Sequence, residues 1–317
     1  MAATKLWPAL ASMAGVLLLA GCASSGGNPP IDPTKMVPVS EVDCTTFPAK
    51  AGMKSAVHVD ALEAVNIATL LATQRNADAE AGGDREGEGE GEGEGSAPAP
   101  VALPELPPFS ASASLANLPA GWQPWTINRN KTPTRYTLTE VDQRLVLHAQ
   151  ADSSASGLYV PLTQRDPGML RWMWKTRDVI RSADNAMGQR EDAPLRIFVA
   201  FDGDTAKLSL RDQLMYEMAR ITTGREMPYA TLMYIWGGRR PAGAVLNNPH
   251  TDRVRMIVVD SGTRHANSWR CHERDLRADY RKAFGTDPGK VIAVGLMTDT
   301  DNTKSRAESW YGDIVLD

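Results

Sequence analysis

The chain has 317 residues and a formal net charge of −4, long enough for one large domain or two ordinary ones. Its charge is split, with 6 Lys+Arg against 14 Asp+Glu in residues 1–108 and 28 against 24 in the remainder. So small a positive surplus, with no Lys/Arg block, argues against a nucleic-acid partner.

At the N-terminus Lys5 precedes the apolar stretch ALASMAGVLLLAG, which is too short to span a bilayer. It ends in Leu19-Ala20-Gly21-Cys22, similar to a bacterial lipobox, in which the signal (residues 1–21) is cleaved and Cys22 carries acyl chains. Each buried methylene adds about 0.8 kcal/mol, so more than one chain makes a stable anchor. Ala23 follows where Asp is absent, and by resemblance to Gram-negative lipoproteins this implies the outer membrane, with the domain facing the periplasm or the cell surface. In that oxidising compartment Cys44 and Cys271 can pair, which would close a very long loop; two separate thiols are the favoured reading.

Residues 22–108 read as a disordered acidic tether. ASSGGNPPIDPTK has nothing to bury, and the Glu/Gly run over 86–95 repels itself and stays extended. A tether of roughly 85 residues has an end-to-end distance of about 50 Å. Within it, residues 55–75 predict an amphipathic helix with Val59, Leu62, Val65, Ile67 and Leu70 near one stripe, which must dock on the domain or on a partner.

From Phe109 to Asp317 short apolar runs recur. RYTLTEV and QRLVLHAQ flank Asp142 as a hairpin; SGLYVPL, LRWMWKT, PLRIFVAFD, YATLMYIW, VRMIVVD, VIAVGLMTD and SWYGDIVLD complete nine predicted strands. Trp172 and Trp174 alternate along one strand, with Arg171, Met173 and Lys175 opposite, and read as core. Two helices interrupt the strands. One carries Leu210, Leu214, Met218 and Ile221 on one face, capped by Ser209 and Asp212; the other, CHERDLRADYRKAFG, carries Leu276, Tyr280 and Phe284 and stops at Gly285. The fold expected is mainly β: a β-sandwich, jelly-roll-like, with two covering helices, and a mixed α/β sheet as the alternative.

The chemistry is less legible. No Gly-x-Ser-x-Gly elbow or His-Glu-x-x-His pair occurs, and nothing in the sequence supports a Ser261–His250–Asp252 triad. GLMTDTDNT (residues 295–303) puts Asp299, Asp301 and Thr303 on one side of an extended strand, which is a start toward a calcium site. Alternatively it is a polar turn, or a carboxylate pair serving a hydrolase. Trp236, Trp310 and Tyr311 lie at strand ends, where rings can be exposed for stacking on a ligand.

The ordered blocks PYATLMYIWGGRRP, RVRMIVVDSG, WRCHERDLRADYRKAFG and VIAVGLMTDTDNTKSRAESWYGDI resemble a family of bacterial envelope proteins, domain of unknown function 3047, over about residues 120–317. That resemblance implies a domain without an assigned activity. The leading expectation is a non-catalytic module binding an envelope glycan or envelope protein. The alternatives are a hydrolase of envelope glycans or esters, and a scaffold docking through residues 55–75.

Overall fold

The computed structural model describes residues 31–46, 106–126, 130–223 and 226–317. The signal, Cys22, the 55–75 segment and the Glu/Gly run lie outside these residues. Among the described residues are twelve strands in two sheets and two α-helices, so the chain is mainly β and forms a sandwich. No helix there is long and apolar enough to cross a membrane.

The seven-stranded sheet contains β1 (Gln123–Trp125), β4 (Ala155–Arg165), β11 (Val291–Asp299), β6 (Ala193–Phe201), β7 (Ala230–Gly237), β9 (Val254–Ser261) and β8 (Val245–Asn247), in that order. In the five-stranded sheet the order is β10 (Arg270–Asp275), β5 (Met169–Thr176), β12 (Arg306–Leu316), β3 (Arg144–Asp152) and β2 (Arg135–Val141). All pairings are antiparallel except β7 with β9.

The period-two pattern decides which side chains meet between the sheets. Leu195, Ile197, Val199 and Phe201 of β6 point inward to Trp172 and Trp174 of β5, while Phe198 and Ala200 point outward into a second apolar layer. Every residue of β6 and β7 is buried, as runs apolar on both faces require. At Gly295, between β4 and β6, a Cβ would lie 2.2 Å from the Phe198 ring, so only glycine lets the three strands close.

Several expectations are corrected. Among the described residues, Ile31, Met36 and Trp125 pack against the outer layer. Residues 31–46, expected in the tether, straddle the sandwich edge. Val37 N–H donates to the Gly243 carbonyl at 2.8 Å, Val39 packs on the inter-sheet core, and Val42 and Cys44 pack beside Met173 on the five-stranded sheet. Cys44 and Cys271 form a disulfide, not two separate thiols, because this strap brings their Cα atoms to 5.3 Å. The domain therefore includes residues well before Phe109.

The helix expected over CHERDLRADYRKAFG is half strand: Arg270–Asp275 is β10, and only α2 (Leu276–Phe284) is helical. Asp275 caps it by accepting from Arg277 and Ala278 N–H, and Gly285 ends it at φ 77°. Tyr280 of α2 packs on Phe201 in the inter-sheet core. The other helix, α1 (Leu210–Thr223), is capped by Ser209 as the sequence predicts, but its apolar stripe faces outward.

Candidate functional site

Where VIAVGLMTD runs out, the strand ends. β11 stops at Asp299 and the chain turns, with Lys304 at φ 53°, so the alternation that grouped Asp299, Asp301 and Thr303 no longer applies. Asp299 and Asp301 instead converge with Asp192, which enters from the segment before β6; one oxygen of each lies within 4.8 Å of the others. The Thr303 hydroxyl and N–H donate to Asp192, with the N–H bond at 2.7 Å, and Asn302 N–H donates to the other Asp192 oxygen at 3.1 Å. Asp192 escaped the sequence reading because its partners stand more than a hundred residues away, with no local signature.

Whether these carboxylates can hold calcium turns on which oxygens are free. Asp299 is buried and grips Arg196 with both oxygens, at 2.7 and 3.1 Å, and Ala193 N–H donates to it at 3.2 Å. Asp301 pairs with Lys131 at 2.8 Å, leaving its buried Oδ1 without a partner among the described residues. Calcium takes six to eight oxygens. Here two cations and several N–H groups already hold them, so the cluster does not fit a calcium cage. Burial pushes Asp299 up to about 6, with the like charges of Asp192 and Glu191 adding to it against the pull of Arg196. Burial likewise raises Glu191.

A second polar knot lies between the sheets. Asp260 accepts from Trp174 Nε1 at 2.7 Å and Arg270 at 3.0 Å, and faces His272 Nε2 at 2.6 Å. Burial pushes the Asp260 carboxyl up, but the His272 and Trp174 bonds and the Arg270 charge outweigh it, leaving it lowered. In a third knot Asp279 joins Arg274 and the Tyr234 hydroxyl. These enclosed groups join strands and helices and present no face to a ligand.

Two of the three stacking candidates are core residues. Trp236 is fully buried, with Nε1 donating to the Gly262 carbonyl, and Tyr311 is fully buried, with its hydroxyl on the Met297 carbonyl; both rings sit on inward positions of their strands. Trp310, one position out of phase, points the other way. It stacks on His148 at 5.2 Å, with Lys175 Nζ 5.5 Å from its ring, and is only 9% exposed. Ser261, His250 and Asp252 do not assemble: Ser261 bonds the Arg240 carbonyl, His250 faces Glu191, and Asp252 faces Arg255.

Trp310 instead marks a surface. The register aligns Lys175, Trp310, His148 and Thr137 in one row across the outward face of the five-stranded sheet, and Glu308, Gln150 and Arg135 in the next. Beyond them opens a groove of ≈570 Å³ lined by Arg135, Gln150, Asp152, Arg177, Arg306 and Glu308, among others. Arg177 pairs with Glu308 and Arg306 with Asp152, each at 2.8 Å, while His148 meets the second Glu308 oxygen at 3.0 Å. Both arginines are mostly exposed. The available signal was the alternation of polar residues along β2, β3 and β12, which marks an outward face without marking a groove.

The sequence profile of a family described as a protein of unknown function, DUF3047, matches residues 120–315. The chain belongs to the DUF3047 family. No curated protein matches it. Among solved structures, this DUF3047 chain is similar to the enzymatically active domain of tailspike protein 4 of bacteriophage CBA120, at 8% identity and TM-score 0.32, over 66% of this chain and 21% of that one. It spans about a fifth of that protein's length. Cellulose induced protein Cip1 is similar at 9% identity and TM-score 0.34, over 62% and 90%. The carbohydrate recognition domain of Emp47p is similar at 12% and 0.30, over 68% and 96%. Likeness at this level carries no argument about what the DUF3047 domain binds.

Proposed function

We propose that this domain is a non-catalytic module that binds a polar envelope glycan on the outward face of its five-stranded sheet. The observation that carries the reading is the row Arg135–Gln150–Glu308, continued by Arg177 into the groove. Guanidinium, amide and carboxylate groups on rigid strands supply the forked donors and acceptors that sugar hydroxyls need. Trp310 contributes no more than an edge beside them. The hydrolase alternative loses its named carboxylates, since Asp299 and Asp301 serve Arg196 and Lys131.

The test uses the whole chain with Cys22→Ala, titrated with peptidoglycan fragments and envelope polysaccharides. Binding that is weakened at least ten-fold by Arg177→Ala and by Glu308→Ala, at unchanged melting temperature, is the expected result. No binding to any of these glycans, or binding indifferent to both substitutions, defeats the reading.

We further propose that acyl chains on Cys22 fasten the chain to the outer membrane, on the strength of Leu19-Ala20-Gly21-Cys22 followed by Ala23. Ile31 already packs on the domain, and the chain linking it to Cys22 reaches at most about 30 Å. The glycan sought is therefore one close to the membrane surface. Cys22→Ala should leave the membrane fraction and lose its fatty acid; retention of both would refute the anchor.

A further inference from the structure

Helix α1 lies on the domain by its polar side. Asp212 is buried and faces Thr251, and the Tyr216 hydroxyl donates to the Pro228 carbonyl at 2.8 Å. Its apolar residues look away: Leu210 is 72% exposed, Leu214 59% and Ile221 68%. A groove of ≈570 Å³ runs alongside, lined partly by Leu208, Leu210, Leu214 and Met227. A continuous apolar stripe of this kind marks a contact surface. It belongs to neither the glycan face nor the buried polar knots.

We infer that the occupant of this stripe is residues 55–75 of the same chain. The segment 47–105 leaves the domain beside Cys44, held by its disulfide, and rejoins it beside Phe109, which is fully buried. Because both ends are fixed to one body, any part of the segment meets that body at a high effective concentration, on the order of millimolar for a short linker. Within it, Val59, Leu62, Val65 and Leu70 make an apolar stripe at helical spacing. From Val59 to Leu70 is the same number of residues as from Leu210 to Ile221, about 16 Å along α1 and along any helix that the 55–75 pattern would form. Glu63 beside Leu62 and Arg211 beside Leu210 carry opposite charges. A helix over 55–75 would supply the apolar surface that α1 lacks, and a helix of such length is marginal alone.

Hydrogen–deuterium exchange on the full chain tests the pairing. Leu62→Asp should speed exchange of the α1 amides at least ten-fold while leaving those of β6, β7 and β11 unchanged. Leu214→Asp should do the same, and the double variant should add nothing further. Equal α1 exchange in parent and Leu62→Asp overturns the inference. So does α1 protection that falls on dilution, which would assign the stripe to a second copy. Protection that arises only on adding phosphatidylethanolamine–phosphatidylglycerol vesicles would assign it to lipid and overturn it equally.

Discussion

Arg196 and Asp299 stand on neighbouring strands, β6 and β11, and close a forked pair on the outer side of the seven-stranded sheet, both nearly out of reach of water. The pair ties the turn that follows β11 to the strand beside it. Removing Asp299 leaves Arg196, where water hardly reaches, with only Glu191 at 3.5 Å to offset its charge. Asp299→Ala should therefore lose about 3–5 kcal/mol in urea denaturation, whereas Asp301→Ala, whose Lys131 partner is partly exposed, should lose about 1 kcal/mol or less. Equal losses would mean that the two aspartates share one role.

Two buried carboxylates should answer pH with opposite sign. Asp299 is raised, so its contribution is complete below about pH 4 and is lost as pH rises through about 6. Asp260 is lowered, so its contribution is present above about pH 4 and is lost as pH falls through its depressed value. Melting temperatures between about pH 3 and 7 read this out directly. The parent's margin over Asp260→Asn should widen with rising pH, and its margin over Asp299→Asn should narrow. Two margins moving together would contradict the assignment.

The disulfide holds the N-terminal strap on β10. Replacing Cys44 and Cys271 by Ser, or adding dithiothreitol, should cost about 2–4 kcal/mol. The strap's hydrogen bond at Val37 and its packing at Ile31 and Met36 should survive at low denaturant, so exchange of the Val37 amide should stay slow there.

The tryptophans separate core from surface. Trp236→Ala should lose about 3–5 kcal/mol with no specific effect on a ligand. Trp310→Phe, which keeps a ring over His148 but shrinks a side chain only 9% exposed, should lower the melting temperature less than Trp236→Ala does and lower glycan affinity. An affinity untouched by Trp310→Phe would restrict the ligand to the groove's hydrogen-bonding residues.

Much of the sheet was legible because burial on one or both faces writes itself into sequence as alternation or as an apolar run. RYTLTEV is β2 and VIAVGLMTD is β11, bound for bound. β10 was not, because its inward residues are Arg270, His272 and Arg274, whose burial depends on Asp260 and Asp279. A strand made core-compatible by ion pairs carries no apolar pattern to detect. The stripe of α1 was legible as a stripe, but periodicity gives a face without saying what it meets. The acidic cluster failed for a related reason: the turn after Asp299 breaks the period, and Asp192 arrives from another part of the chain.

The bridge from Cys44 to Cys271 has a practical corollary. Protease cleavage anywhere within residues 47–105 would yield two polypeptides that still migrate as one under oxidising conditions, the smaller clasped across the sandwich edge. A protease could thus nick this molecule without separating the two pieces, and only a reductant would reveal the cut.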